Sequence, residues 1–483
     1  MLFNSLEFLF VFLPLALLVF FGAARLSDRA AIISLALLSI AFYSWWDIRF
    51  LPVLGASIAF NYLMAKGIER ADRSRKPVLA IAITLNLATL FLYKYLDFSI
   101  ASINAAFHLS IPLQHLALPL GISFFTFTQI AYLVDVYKKE AHTSQPADYL
   151  LFVTYFPHLI AGPILHHAQM MPQFKTERIL KPHAEAFVIG IIFITIGLVK
   201  KVLVADHIAR YATPVFAMNG ETGALGALEA WTGILAYSLQ LYFDFSGYCD
   251  MAIGISLLFN IDLPLNFASP YKSASIIEFW RRWHMTLSQF LRNYLYIPLG
   301  GNRQGTARRY TNLFLTMLLG GLWHGANWTF VVWGCMHGLY LIINHGFSLV
   351  HRKLGLPEIP AGIGLLLTFI AVVFAWVPFR ADNLTDTVSM WKSMLAMNGI
   401  GDTASMLSHI PFRKALAEVM AGILVVMLLP NSQQIAASAK EHLFREEPAA
   451  AMKWTLAGLL FGIIFSYAVM SIGHVSEFLY FQF

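Results

Sequence analysis

Charged residues are scarce in this sequence. Of its 483 residues, only 12% are Asp, Glu, Lys or Arg, whereas 58% are hydrophobic, and the mean hydropathy is +0.64. Soluble domains carry about 25% charged residues, so the composition excludes a soluble globular protein. The apolar runs are continuous and do not alternate with polar residues, which favours membrane helices over a membrane β-barrel.

Cysteine is also nearly absent, since Cys249 and Cys335 are the only two. Both fall in apolar stretches, which excludes a disulfide framework and indicates a packing role. The net charge of +6 comes from Lys and Arg in short connections between apolar runs. That placement follows the positive-inside tendency of membrane proteins, so we expect membrane lipids and no nucleic acid as partners.

Long apolar runs recur along the whole chain and are candidate membrane helices. They cover residues 6–24, 30–46, 50–65, 78–96, 118–137, 186–204, 231–260, 311–323, 328–347, 362–379, 416–429 and 454–472. A full crossing needs about 20 residues, and several runs are shorter or contain glycine. The sequence therefore predicts an all-α polytopic membrane protein with about eleven transmembrane helices plus partial or interfacial helices.

The basic loops predict the orientation. The loop 66–76 holds five Lys and Arg, and Arg25 and Arg29 mark the loop two crossings earlier. The positive-inside rule puts both loops in the cytoplasm, with the N-terminus outside and the first span retained. No internal repeat and no soluble domain is evident, so we expect one membrane domain over residues 1–483.

Residues 278–296 show helical periodicity with two distinct faces. Wound at 100° per residue, the segment gathers Arg281, Arg282 and Arg292 on one arc and tryptophans on the other. This pattern is typical of a helix lying in the membrane interface. His284 falls at the border between the arcs, either as an incidental residue of a surface anchor or as a functional group.

His324 ends a short apolar run. The thirteen residues 311–323 would cover only about 20 Å as a helix, less than the roughly 30 Å hydrocarbon core. A glycine-rich break at that depth is tolerated inside protein or beside a water-filled cavity. We therefore expect His324 within the membrane in non-lipid surroundings, where it serves either proton transfer or helix packing.

Other polar residues in apolar runs are weaker candidates. His337 follows His324 by thirteen residues, about 220° on a continuous helix, so a shared site requires a break at Gly325. Asp244 is an intramembrane acid that can orient a histidine, bind a cation or support structure. The spacing of His158, His166 and His167 matches no standard zinc set, and we assign no metal.

Several long motifs resemble the membrane-bound O-acyltransferases (MBOAT), in particular the branch of bacterial alginate O-acetylation membrane subunits. The motifs occupy residues 280–288, 295–303 and 318–330, together with 156–164, 240–248, the opening 8–14 and the closing 478–483. The likeness extends over almost the whole chain.

This resemblance implies a fold, a reaction and site residues. It implies about eleven helices around a central tunnel, with a catalytic core at about 231–347. His324, in the Trp-His-Gly motif, and His284 match the family's catalytic positions; Trp323, Asn327, His337 and Asp244 are expected to support them. The implied reaction moves acetyl groups across a bacterial inner membrane toward an extracytoplasmic polysaccharide, with an extracytoplasmic acetyltransferase as partner.

The donor expected from this resemblance is acetyl-CoA, with no covalently bound cofactor. Arg281, Arg282 and Arg292 are candidates to bind its phosphates as bidentate donors, or they anchor lipid headgroups. Alginate is the acceptor that the resemblance favours; peptidoglycan and cellulose are alternatives, and D-alanyl transfer ranks below them. The non-enzymatic alternative is a transporter, but the two similar halves typical of transporters are not evident.

Overall fold

The structure is a computed structural model. It describes residues 1–71, 74–223, 225–355, 357, 359–401, 412–444, 451–473 and 479, with residues 451–457 described by their helical backbone alone. Helices account for most of these residues, and none of them lies in a strand. The all-α prediction is confirmed. Arg73 of the basic loop and all of the closing motif except Leu479 lie outside the described residues.

The helices follow the predicted apolar runs closely. In the first half of the chain they are α1 Leu13–Ala24, α2 Asp28–Ser44, α3 Leu51–Arg70, α4 Arg75–Leu90, α5 Leu96–Phe107, α6 Ile122–Lys138, α7 Pro146–Thr154, α8 Phe156–Leu159, α9 His167–Met170, α10 Ala184–Leu198 and α11 Asp206–Thr222. In the second half they are α12 Ala227–Leu258, α13 Ile276–Arg282, α14 Met285–Leu291, α15 Gly305–His324, α16 Trp328–Leu354, α17 Ala361–Arg380, α18 Leu384–Met394, α19 Phe412–Leu428, α20 Ser432–Phe444 and α21 Ala451–Met470.

Five helical stretches are long and apolar enough to cross a membrane. Among the described residues they are Ile48–Arg70, Arg75–Phe107, Ala184–Thr222, Trp328–Leu354 and Ala361–Arg380. Each contains a stretch of at least 18 apolar-rich residues, close to the 20 that the hydrocarbon core requires. The chain is therefore a multi-pass membrane protein.

The described chain forms two compact units. The first comprises Met1–Gly197, Tyr248–Leu265 and Ala436–Val475. It is held by polar pairs inside an apolar bundle: Asn61 and Asn86 exchange two amide hydrogen bonds of 3.0 and 2.7 Å, and Tyr149 donates to Gln129 at 3.1 Å. Such pairs satisfy polar groups that cannot hydrogen-bond to lipid.

The second unit comprises Leu198–Gly247, Asn266–Ile435 and Ser476–Phe483. Its core holds the helical hairpin of α15 and α16, joined by the short connection from Gly325 to Asn327. Glycines let the two helices approach closely, because a side chain on Gly334 would lie 2.6 Å from the Met317 carbonyl. Small residues at such positions are typical of membrane helix pairs.

Two local predictions were wrong. Residues 278–296 do not form one continuous helix, because the backbone turns at Trp283 and His284 and separates α13 from α14. The helix before Gly325 has 20 residues and not thirteen, because Gly305 to Tyr310 continue it in a polar first turn and a half. Since 20 residues span about 30 Å, helix length no longer places His324 at membrane depth.

Candidate active site

His284 occupies the break between α13 and α14. Its backbone is left-handed, with φ +43°, a conformation that costs a non-glycine residue about 1–3 kcal/mol and is concentrated at functional sites. Flanking hydrogen bonds hold the turn: Ala268 N–H donates to the Arg282 carbonyl and Met285 N–H to the Asn266 carbonyl, both at 2.9 Å. The side chain is fully buried, with the Phe245 ring 4.9 Å from the imidazole between centroids.

Asn266 fixes the tautomer of His284. The Asn266 Oδ1 atom accepts from the Thr286 backbone N–H at 3.2 Å and from Thr286 Oγ1 at 3.0 Å, which identifies it as the amide oxygen. His284 Nδ1 lies 3.1 Å from the same oxygen, so Nδ1 carries the proton and Nε2 carries the lone pair. Burial lowers the pKa of His284, which lies outside the long apolar helices, to about 3. The ring is therefore neutral at physiological pH.

His324 is the last residue of α15, where the hairpin turns into Gly325. Its ring lies 6.3 Å from the His284 ring between centroids, although 40 positions separate the two residues. The rings of Trp323, Trp333 and Phe379 surround it at 4.9, 4.9 and 5.2 Å. The structure thus brings the two predicted histidines together in an aromatic cluster.

His337 joins the same cluster from α16. Because the hairpin breaks at Gly325, His324 and His337 both contact Trp333, at 4.9 and 4.7 Å between ring centroids. His337 Nδ1 accepts a hydrogen bond of 3.2 Å from the Trp280 indole N–H, which leaves the proton on Nε2.

Two buried N–H groups of this cluster have no acceptor within the described part of the chain. They are His337 Nε2–H and Trp333 Nε1–H, on side chains that are fully buried or nearly so. An unsatisfied buried donor costs about 1–3 kcal/mol, and such a group in a native structure calls for an explanation. Two of them beside the histidine pair give the site donors for an oxygen atom.

The other supporting candidates have local tasks. Trp323 lies against both histidines, 6.1 Å from His284 between ring centroids. Asn327 caps α16 by accepting from the Thr329 N–H at 3.1 Å, and it donates to the Asp382 carbonyl at 2.9 Å. Asp244 forms a buried ion pair of 2.7 Å with Lys201.

The three arginines differ in availability. Arg282 forms an ion pair of 2.6 Å with Glu278, one turn earlier in α13. Arg281 and Arg292 are exposed. Only the latter two present guanidinium groups that are not already paired with that glutamate.

Sequence reasoning missed Asn266, Trp333 and Phe379. Asn266 lies in a connection with no helical period, 18 residues before His284, and Phe379 lies 55 residues after His324. Trp333 follows His324 by nine residues, but the pattern gave no reason to separate it from ordinary apolar residues of α16. The three histidines of the segment 158–167 belong to the other compact unit.

Comparison with known proteins identifies the family of the chain. The profile described as MBOAT, membrane-bound O-acyltransferase family, matches residues 40–378. A peptidoglycan O-acetyltransferase of Helicobacter pylori is 39% identical, over 100% of this chain and 98% of its own length. A probable alginate O-acetylase AlgI of Pseudomonas aeruginosa is 43% identical, over 82% of this chain and 75% of its own length.

A more distant relative is a teichoic acid D-alanyltransferase of Bacillus subtilis, 27% identical over 54% of this chain and 67% of its own length. The family profile covers more than two thirds of the chain and includes both histidine motifs. The chain belongs to the membrane-bound O-acyltransferase family and is an acyltransferase.

Proposed function

We propose that the protein transfers acetyl groups from a cytoplasmic donor, acetyl-CoA, to hydroxyl groups of a polysaccharide outside the bacterial inner membrane. The observation that carries this proposal is the meeting of His284 and His324, 6.3 Å apart between ring centroids, inside one aromatic cluster. One substrate oxygen between two such rings can contact a nitrogen of each.

In this proposal His324 acts on the acceptor hydroxyl. It removes the proton as general base, or it carries the acetyl group itself. The first route forms a bond from the hydroxyl oxygen to the acetyl carbon and releases the thiol of the donor. His284, with its proton fixed on Nδ1 by Asn266, offers the Nε2 lone pair and orients the hydroxyl.

The N–H groups of His337 and Trp333 stabilise the negative oxygen of the tetrahedral intermediate. Both are buried donors in contact with the His324 ring cluster. Pre-oriented donors in a dry site are worth about 2.7–4 kcal/mol each in acyl transfer. Trp323 packs the pair, Asn327 holds the hairpin turn, and Asp244 with Lys201 stabilises the unit.

The donor's phosphates bind to Arg281 and Arg292, which are exposed. Support comes from charge: residues 279–357 contain eight Lys and Arg and no Asp or Glu, so this segment attracts anions. An N-terminus outside agrees with the basic loops of the first spans.

Two acceptors are supported by different observations. Peptidoglycan is favoured because the Helicobacter pylori relative aligns with the whole chain and with 98% of its own length. Alginate is favoured by the higher identity of 43% to the Pseudomonas aeruginosa relative, over a shorter alignment. We put peptidoglycan first and alginate second; cellulose and D-alanyl transfer rank below them.

The remaining architecture completes the proposal. About eleven crossings form one membrane domain around a tunnel that lets the acetyl group reach the outer face, with the catalytic core at about 231–347. An extracytoplasmic acetyltransferase accepts the acetyl group and finishes the transfer where the polymer does not reach the tunnel.

The test is chemical analysis of polymers from a strain that lacks the gene. Ester-bound acetate is released by mild base from purified peptidoglycan and, separately, from exopolysaccharide, and is quantified with and without complementation. We expect the wild-type gene to restore acetate on one polymer and His324→Ala to restore none, with equal protein in the membrane. Ester-bound acetate unchanged in the deletion strain would refute the proposal. Movement of a substrate across the membrane without formation of the ester would indicate a transporter.

A further inference from the structure

A second histidine cluster, unrelated to the acyl-transfer residues, lies in the first compact unit. It consists of Asp135 at the end of α6 and of His166 and His167 at the start of α9, and we call it the Asp-His-His triad. One ligand atom from each residue lies within 4.8 Å of the other two. Asp135 and His167 are buried, and His166 is one-third exposed, which leaves one open side.

The backbone around the triad is fixed by the end of α6. Lys139 closes the helix in the left-handed conformation, with φ +64°, and the Glu140 N–H returns to the Asp135 carbonyl at 2.8 Å. This turn directs the Glu140 carbonyl toward the His167 ring, whose Nε2 lies 3.2 Å from that oxygen. The other ring nitrogen, Nδ1, lies 2.8 Å from Asp135 Oδ2.

His167 therefore faces an acceptor at each nitrogen. A neutral imidazole has one N–H and one lone pair, so it can donate to Glu140 or to Asp135 but not to both. A metal ion at Nδ1 resolves this, since Nε2–H then donates to the carbonyl. That arrangement is the usual support of a metal-bound histidine, in which the outer N–H is held by a backbone carbonyl or carboxylate.

His166 supplies the third ligand. Its Nε2 lies 3.2 Å from the same oxygen, Asp135 Oδ2. Ligands at about 2.0–2.1 Å from a tetrahedral zinc ion lie about 3.3 Å apart, so this edge already has the required length and the edge to His167 must open by about half an ångström. His166 Nδ1 must also give up a long contact of 3.4 Å from the Ala168 N–H.

We propose that the Asp-His-His triad binds a divalent transition metal of the zinc class, with a water as fourth ligand on the open side. Two imidazoles and one carboxylate are a donor set that suits Zn²⁺. A zinc-bound imidazole is neutral, so His166 moves its proton from Nε2 to Nδ1 and His167 keeps its proton on Nε2. A proton is released to solvent only from a ring that starts as imidazolium. The metal ties the end of α6 to the start of α9 and plays no part in acyl transfer.

The experiment measures zinc in the full-length chain, which is solubilised in detergent and purified by an affinity tag that contains no histidine. After dialysis against buffer containing Zn²⁺, we expect about one zinc per chain by elemental mass spectrometry. Asp135→Asn and His166→Gln should each weaken zinc binding by more than about tenfold. His142→Ala is the matched control, because that histidine is close in sequence but 86% exposed and pairs with Glu69; it should bind zinc like the wild type.

X-ray absorption at the zinc edge gives an independent readout. We expect nitrogen and oxygen neighbours at about 2.0–2.1 Å with the scattering pattern of two imidazoles, lost in Asp135→Asn. Folding of both variants is checked by size-exclusion chromatography. Zinc content in Asp135→Asn equal to that of the wild type, or wild-type protein without zinc, would overturn the proposal and leave His166 and His167 as hydrogen-bonding partners of Asp135.

Discussion

The protein holds two histidine clusters with opposite surroundings. In the second unit, His284, His324 and His337 are held by aromatic rings, an asparagine amide and an indole N–H. In the first unit, His166 and His167 both face the carboxylate of Asp135. Apolar burial keeps an imidazole neutral, whereas two imidazole nitrogens beside a carboxylate oxygen form the donor set of a metal site. The same residue type thus acquires different chemistry from its neighbours.

Replacement of His324 by Ala tests most directly whether the two histidine clusters have different functions. Because a positioned base contributes about 10²–10⁴-fold, acetyl transfer should fall by at least about a hundredfold in membrane vesicles supplied with labelled acetyl-CoA. The variant should still bind about one zinc, because its triad is intact. Activity within a factor of two of the wild type would show that His324 is a packing residue.

The tautomer of His284 is tested at Asn266. Asn266→Ala removes the acceptor for Nδ1–H, and an unsatisfied buried donor costs about 1–3 kcal/mol, so kcat should fall at least about fivefold with little change in the KM for acetyl-CoA. The control is Thr286→Val, which removes one hydrogen bond to the same oxygen and leaves the one from His284. Equal losses in both variants would indicate a purely structural role for Asn266.

A variant of Trp333 distinguishes hydrogen-bond donation by the indole N–H from packing of the aromatic ring. Trp333→Phe keeps an aromatic ring but removes the buried N–H, and kcat should fall about a hundredfold, at the lower end of the range for such donors. Thermal unfolding of the variant in detergent should change little, because one unsatisfied group is also removed. A large loss of stability with unchanged kcat would assign Trp333 to packing alone.

The smallest effects are expected at the two adjacent arginines of α13, and they should differ in the KM for acetyl-CoA. Arg281→Gln removes an exposed guanidinium and should raise the KM for acetyl-CoA severalfold. Arg282→Gln removes a group already paired with Glu278 and should raise it less. The initial rate against donor concentration measures both, and an equal KM in the two variants and the wild type would refute donor binding at this helix.

Much of the fold was predictable because lipid imposes long apolar runs. Every candidate span coincides with a helix, from 6–24 to 454–472. The turn at His284 was not predictable, since a periodic pattern gives no sign of one left-handed residue held by hydrogen bonds from the distant connection 266–268. The 20-residue length of α15 was also missed, because its first turn and a half is polar and reads as a loop.

The site was predictable only in part. His284 and His324 stand out as polar rings in apolar motifs, but their proximity depends on how the hairpin packs. No sequence pattern distinguishes Asn266 or Trp333 from other residues, since asparagine in a connection and tryptophan in a helix are common. Asp135 illustrates the same limit, because it meets His167 from 32 positions away and no ligand spacing reveals it.

A double-mutant cycle tests the central claim most directly, namely that His284 and His324 form one site. Rates of acetyl transfer are measured for His284→Ala, His324→Ala and the double variant in the same vesicles. Substitutions of residues that act as a unit have strongly non-additive effects on the rate, so the double variant should be about as active as the less active of the two single variants. A double-variant loss equal to the product of the single losses would contradict the account.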